Sequence, residues 1–391
     1  METKRINYLD SLRGIASLVV VVFHCLVSFN LFYMAYYNNQ YSNGLIKAFT
    51  MTPLHTVWAG KEAVLLFFVL SGFVLSIPYL ENKELPYKSY IIKRFFRIYL
   101  PYIIIMTLSV IIAIAFMHYN SIQGLSDTYN KRWDHPVSIE SIISYILMIN
   151  SDTFNVNGVV WTLYIEMKLS ILFPLIMIVI KRYNWIKASI IALAANAAVF
   201  FIMGTLVRYI SNAVLKDIAG YFNDSLYYGV FFILGAILSK CRSRISENTL
   251  LKKHGILLFI LSLIMINNKW LYILSLNRML IQDFICGAGF ALLFMVVLSS
   301  EKAQELLCVK PLLFFGKISY SIYLVHVPVI MVTTTVLSRI IPIEIPFIAA
   351  PFVCILIACI SYRYIELPSM RIGRQLSYET SKIIKLQSAE E

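Results

Sequence analysis

In the stretch YLDSLRGIASLVVVVFHCLVSF an arginine, Arg13, is followed eleven positions later by a histidine, His24. Eleven helical residues make close to three turns, so the two side chains share one face and stand about 16 Å apart in depth. A guanidinium grips oxyanions, and an imidazole moves protons or takes up a group covalently near neutral pH. The bland reading of His24 is a buried ring bonded to a neighbouring helix, and the shared face with Arg13 weighs against it. Arg94 and Arg97 in KSYIIKRFFRIYLP are one turn apart. As neighbours on a helix surface they suit a bidentate hold on a diphosphate; charge anchoring at a membrane surface is the competing reading. Glu166 in WTLYIEMKLSILFP offers a carboxylate that could orient an imidazole or pair with Lys168. His326 in GKISYSIYLVHVPV is a second histidine within an apolar run, near Ser319, Tyr320 and Tyr323, which can hydrogen-bond. Structural bonding and an active part in the chemistry stand level for it. Ser71 and Gly72 in LFFVLSGFVLS form a small-residue site, read first as close helix packing and second as a ligand contact.

These groups sit in a chain of 391 residues that is 59% apolar and only 14% charged, with mean hydropathy +0.74. A soluble domain is about a quarter charged, so the composition excludes a soluble enzyme, a disordered chain and a disulfide scaffold. It points to a polytopic, all-α membrane protein embedded in a lipid bilayer. The net charge of +13 is dispersed between apolar runs rather than clustered, so no nucleic-acid partner is expected. The six cysteines have no paired spacing, and neither a disulfide framework nor a metal site is expected.

Apolar runs long enough to span lie at about 12–34, 59–80, 98–118, 160–180, 186–208, 226–240, 255–272, 279–299, 318–338 and 346–365. The sixth is short, and the stretch 139–150 is too short to cross. The first run lacks a cleavage site and is expected to be retained. Ten spans put both termini on one side. With the N-terminus cytoplasmic, 24 of the 34 Lys+Arg residues fall in inner segments, as the positive-inside rule requires. Residues 1–374 then form one transmembrane domain, followed by a short cytoplasmic tail, 375–391. In this frame Arg13 is at the cytoplasmic surface and His24 near mid-membrane. Glu166 is about 9 Å below the outer face. Lys61, Lys168, Arg208 and Arg363 are expected to be interfacial anchors that snorkel. Glu62 and Asp283 are further ionisable groups within the spans, each costly to insert.

The motifs together resemble the membrane-bound acyltransferase 3 family, whose members O-acylate bacterial surface polysaccharides. The resemblance rests on five blocks in order: Leu9–His24, Leu66–Ser76, Lys93–Pro101, Trp161–Pro174 and Gly316–Pro328, followed by Ile365–Pro368 and a basic helix. It implies a multi-pass protein of the bacterial cytoplasmic membrane that takes an acyl group, acetyl foremost, from cytoplasmic acyl-CoA to a hydroxyl of a glycan or glycolipid. It implies that Arg13 and His24 are the essential pair of the first span and that Arg94 and Arg97 are the arginine pair of the third. The donor phosphates would then rest on Arg94 and Arg97, helped by Arg13. His24 would act as base or acyl relay, with Glu166 orienting its ring. Ser71, Tyr323 and His326 are further candidates. Some relatives carry an extracytoplasmic hydrolase-like domain, whereas this chain stops about 25 residues after its last span, and direct transfer is the expectation. The rival reading is a transporter using Asp283 as a proton relay, although no pair of Gly/Pro-broken inverted repeats is evident. A non-catalytic partner of a glycan assembly complex is the third.

Overall fold

The computed structural model describes residues 6–117, 122–149, 153–274 and 279–390. Among them β structure is limited to one isolated antiparallel bridge, Phe29 to Leu125. The helices that build the bundle are α1 (Asn7–Val27), α2 (Gly60–Leu80), α3 (Tyr87–Phe116), α4 (Trp161–Arg182), α5 (Trp185–Tyr209) and α6 (Ala213–Lys240). They continue as α7 (Gly255–Ile266), α8 (Met279–Ser299), α9 (Lys310–Leu337), α10 (Glu344–Ser361) and α11 (Leu367–Glu390). In hydrocarbon every backbone N–H and C=O must be satisfied within the segment, so these Leu-, Ile-, Val- and Phe-rich runs have little choice but helix. Starts are set by caps: Asn184 accepts from the Lys187 amide ahead of α5, and Asn212 from the Leu215 amide ahead of α6.

Among the described residues, nine helical stretches are long and apolar enough to cross a membrane, one fewer than the sequence predicts. The exception is the span predicted over 255–272, whose helix stops after 12 residues at Ile266, about 18 Å of rise. The polar run behind it is the cause. The Asn267 amide donates to Thr56 Oγ1 at 2.8 Å, the Asn268 amide to the Gln282 carbonyl at 2.6 Å, and Lys269 to the Tyr36 carbonyl at 3.1 Å. These bonds turn the chain into the 3₁₀ segment Asn268–Leu274. Conversely, the short sixth run proves to be a 28-residue helix, whose early part carries Lys216, Asp217, Asn223 and Asp224 and so hides from a hydropathy reading. Helix α3 begins at Tyr87, three turns ahead of its predicted start, so Arg94 and Arg97 lie within it.

Helix α1 packs between α9 and α2, α2 packs on α6, and α11 runs along α3. Two seams are backbone to backbone. A Cβ on Gly14 would stand 2.5 Å from the Gly316 nitrogen, and one on Gly316 would stand 2.4 Å from the Asp10 carbonyl oxygen. On the other seam, Gly72 and Gly235 each approach the facing backbone so closely that a Cβ would be 2.0 Å from a carbonyl oxygen. Small residues permit this approach, the main source of helix association in lipid. Gly316→Val therefore forces α1 and α9 apart. The expected loss is about 1–3 kcal/mol or more, read as a lowered thermal midpoint of the detergent-purified protein.

Beyond the end of α1 a loop folds back over the bundle. Ser126 donates from its hydroxyl to the Val27 carbonyl at 2.9 Å and from its amide to the Ser28 carbonyl at 2.7 Å, next to the Phe29–Leu125 bridge. The Tyr129 and Thr334 hydroxyls bond to each other, which ties the loop to α9. Trp133 donates from its amide to the Asn155 carbonyl and from its indole to the Val156 carbonyl, which ties it to the short helix Thr153–Asn157.

Candidate active site

Helices α1 and α9 run side by side in the same direction. Gly14 meets Gly316, and ten residues further along each helix His24 meets His326. The ring centroids are 5.1 Å apart with the planes tilted by 41°. His326 is fully buried, while His24 keeps part of its surface accessible. His326 Nδ1 lies 2.8 Å from the Tyr323 carbonyl oxygen. A carbonyl only accepts, so this bond assigns the proton of the neutral ring to Nδ1 and leaves the lone pair on Nε2. Nε2 is buried and has no hydrogen-bond partner among the described residues.

Toward the Asn7 end of α1 stands a cluster of arginines and carboxylates. Arg13 pairs with Asp10 at 3.6 Å and donates to the Leu70 carbonyl at 3.5 Å. Arg94 donates to Glu166 at 3.2 Å and to the Ser170 hydroxyl at 2.9 Å, and the Ser71 hydroxyl donates to the same Glu166 oxygen at 3.1 Å. Arg97 pairs with Glu366 at 2.9 Å and lies against the Tyr320 ring and the Met370 sulfur. Arg13 reaches the Leu70 carbonyl, and the next residue, Ser71, shares the Glu166 oxygen with Arg94, so Arg13 and the Arg94–Glu166 pair meet at adjacent residues of α2.

The predicted residues thus fall into two groups. Arg13, Arg94, Arg97, Glu166 and Ser71 assemble at one level of the bundle, and His24 with His326 about three helical turns away. Glu166 is held by Arg94 and Ser71, and the side chain set against His24 is His326. Of the small-residue pair, Gly72 packs on the Phe232 backbone while Ser71 turns to Glu166. Tyr323 spends its hydroxyl on Thr162 at 2.7 Å and the Val159 carbonyl at 3.1 Å, fastening α9 to α4. Lys61 is bound to Asp283 at 2.6 Å rather than simply snorkelling, and Tyr227 donates to the same carboxylate at 2.8 Å. Glu62 faces His55 at 3.7 Å.

Two residues are given no role by the sequence, although the first, Glu366, lies within the Ile365–Pro368 block. Glu366 is buried, accepts from Arg97, and accepts from Ser321 at 2.6 Å. It closes a π-helical turn, Tyr362–Glu366, between α10 and α11. The extra residue in that turn shifts the register of the helix, a device common at functional sites, and no hydropathy pattern announces it. Arg132, in the capping loop, has its Nε buried without a partner and its guanidinium 5.1 Å from the Phe154 ring centroid. Burial pushes its pKa down to about 10, so it stays charged at neutral pH.

A helical bundle with one buried and one partly accessible imidazole between a guanidinium cluster and a capping loop is a multi-pass membrane protein carrying the groups of acid–base and group-transfer chemistry. Residues 6–365 match the family model described as an acyltransferase domain, and the chain belongs to this family, acyltransferase 3. It is similar to the O-acetyltransferase OatA of Staphylococcus aureus, at 29% identity over 250 residues, 57% of this chain and 38% of that protein. It is also similar to the peptidoglycan O-acetyltransferase OatA of Listeria monocytogenes, at 26% identity over 359 residues, 82% of this chain and 53% of that protein. The aligned stretch spans two fifths to about half of the length of these relatives. No solved structure matches.

Proposed function

We propose that the chain is an O-acyltransferase of the bacterial cytoplasmic membrane that moves an acyl group, acetyl foremost, from acyl-CoA to a hydroxyl of a glycan or glycolipid. The observation that carries this reading is the His24–His326 pair, with an unoccupied lone pair on one ring and accessible surface on the other. Arg94 and Arg97 hold the donor's phosphates with the N–H groups that their carboxylates leave over, and Arg13 adds charge. The thioester then reaches His24, about 16 Å deeper along α1. A nitrogen of His24 either takes the proton of the acceptor hydroxyl as that oxygen attacks the thioester carbonyl, or attacks the carbonyl itself. In the first route His24 passes that proton to the sulfur as the C–S bond breaks; in the second the acylated ring gives up its own N–H proton to the sulfur, so CoA departs as the thiol in both. In the second, the acyl-imidazole is then opened by the hydroxyl, whose proton passes to Nε2 of His326 and from there to the freed nitrogen of His24, which restores both neutral rings. Glu166 and Glu366 hold the arginines in place, with Ser71 and Ser321 completing the carboxylates' hydrogen bonds.

The test is the purified chain with acetyl-CoA and glycan acceptors, following thiol release and acetyl-glycan mass together. Transport of glycan across proteoliposomes without thiol release would overturn the reading in favour of a transporter. Glu366→Ala frees Arg97 from its only described carboxylate partner. The KM for acyl-CoA is expected to rise about tenfold, about 1.4 kcal/mol, with the acceptor KM unchanged. An unaltered donor KM would detach Arg97 and Glu366 from donor binding.

A further inference from the structure

Among the described residues, Arg132 is a charged side chain without a counter-charge. No described carboxylate lies within ion-pair distance of it, none of its guanidinium nitrogens bonds to a described residue, and its Nε is shielded from solvent. Phe154 supports one face of the guanidinium, and the Tyr37 and Tyr129 rings stand near enough to act on it. Its charge acts on both His24 and His326. The residue keeps part of its surface accessible, so it is not wholly packed over. An unpaired desolvated charge costs several kcal/mol, and it is normally kept where a ligand supplies the missing partner.

The backbone spends further energy to hold it there. Trp133, the next residue, has φ of +57°, a conformation that costs a bulky side chain about 1–3 kcal/mol. It persists because the Trp133 amide and indole are both bonded to the Thr153–Asn157 helix. The loop is secured on two other sides, by Ser126 to the end of α1 and by Tyr129 to Thr334 of α9. Those anchor points lie beyond His24 and His326 along their helices, on the opposite side from Arg13, Arg94 and Arg97. The acyl donor's phosphates therefore already have a site, and Arg132 answers to a different anion.

We propose that Arg132 binds an anionic group of the acceptor, a carboxylate or a phosphate, and so seats the acceptor hydroxyl on the capped side of His24 and His326. This rests on the acyltransferase reading for the word acceptor, but not for the anion site itself. The experiment uses the full chain in nanodiscs and two readouts. Direct calorimetric binding is measured with a uronic-acid disaccharide, with glycerol phosphate and with a neutral glucose disaccharide. Acetylation kinetics are measured with a uronic-acid and a neutral acceptor of the same length.

Arg132→Gln is expected to weaken anion binding tenfold or more and to raise the KM of the anionic acceptor by the same factor. The KM for acyl-CoA and for the neutral acceptor should stay unchanged. Arg132→Lys keeps the charge and should retain most of the binding, which separates loss of charge from loss of fold. Binding of the uronate alone assigns a carboxylate, and binding of glycerol phosphate alone assigns a phosphate. Equal anion binding by wild type and Arg132→Gln, or binding of neither anion by wild type, overturns the proposal. Charge-dependent anion binding in a protein that acetylates no acceptor would leave the anion site standing and bring down the acyltransferase reading instead.

Discussion

Replacing His24 with alanine is expected to remove acyl transfer, by about 10³-fold or more, while the protein still inserts and binds its donor. Loss of a positioned acid–base group costs about 10²–10⁴-fold, and loss of a covalent carrier removes that route altogether. The donor KM should be nearly unchanged, since the arginine cluster is about three turns away on α1 and has its own partners. The measurement is thiol release and acetyl-glycan formation at matched protein levels. His24→Ala protein that acetylates at the wild-type rate would leave the buried imidazole pair without a chemical role. Trapping acetyl on the wild-type chain with no acceptor present, and its absence in the variant, would choose the relay over direct base catalysis.

The second large effect is expected at His326. His326→Asn retains an N–H near the position of Nδ1, able to donate to the Tyr323 carbonyl, and removes Nε2. His326→Gln places an amide nearer the position of Nε2 and gives up the Nδ1 bond. If the ring only fastens α9, the asparagine variant should be close to wild type. If Nε2 receives a proton from His24 or from the acceptor, both variants should lose kcat by about 10²-fold with both KM values little changed. Activity in the asparagine variant near that of wild type would return His326 to a structural part.

Much of this arrangement can be read from the chain itself, and the failures have physical causes. Nine of ten predicted spans are long apolar helices because hydrocarbon leaves the backbone no alternative. The tenth fails because three consecutive polar residues, Asn267, Asn268 and Lys269, find partners in the loops and stop the helix. The meeting of His24 with His326 had a visible signal: Gly14 to His24 and Gly316 to His326 are equal intervals. Equal intervals become a contact only once the two helices are known to be parallel and joined at their glycines. The sequence gives Glu166 a depth from its own span alone. Its partner was decided by α3, whose early start carries Arg94 into the bundle opposite it. Glu366 depends on a π turn, and Arg132 on a loop pinned by residues far away in sequence, so neither could be seen in local periodicity.

The glycine seam has a mechanical corollary. With the α1 backbone in contact with that of α9 at Gly14 and Gly316, there is no side-chain cushion to compress and no slack for one helix to ratchet past the other. The two imidazoles hang from a rigid double rail, and their spacing is inherited from it. Breathing motions that let reactants in and products out must leave this rail closed and be taken up by the parts of the molecule that do not share it.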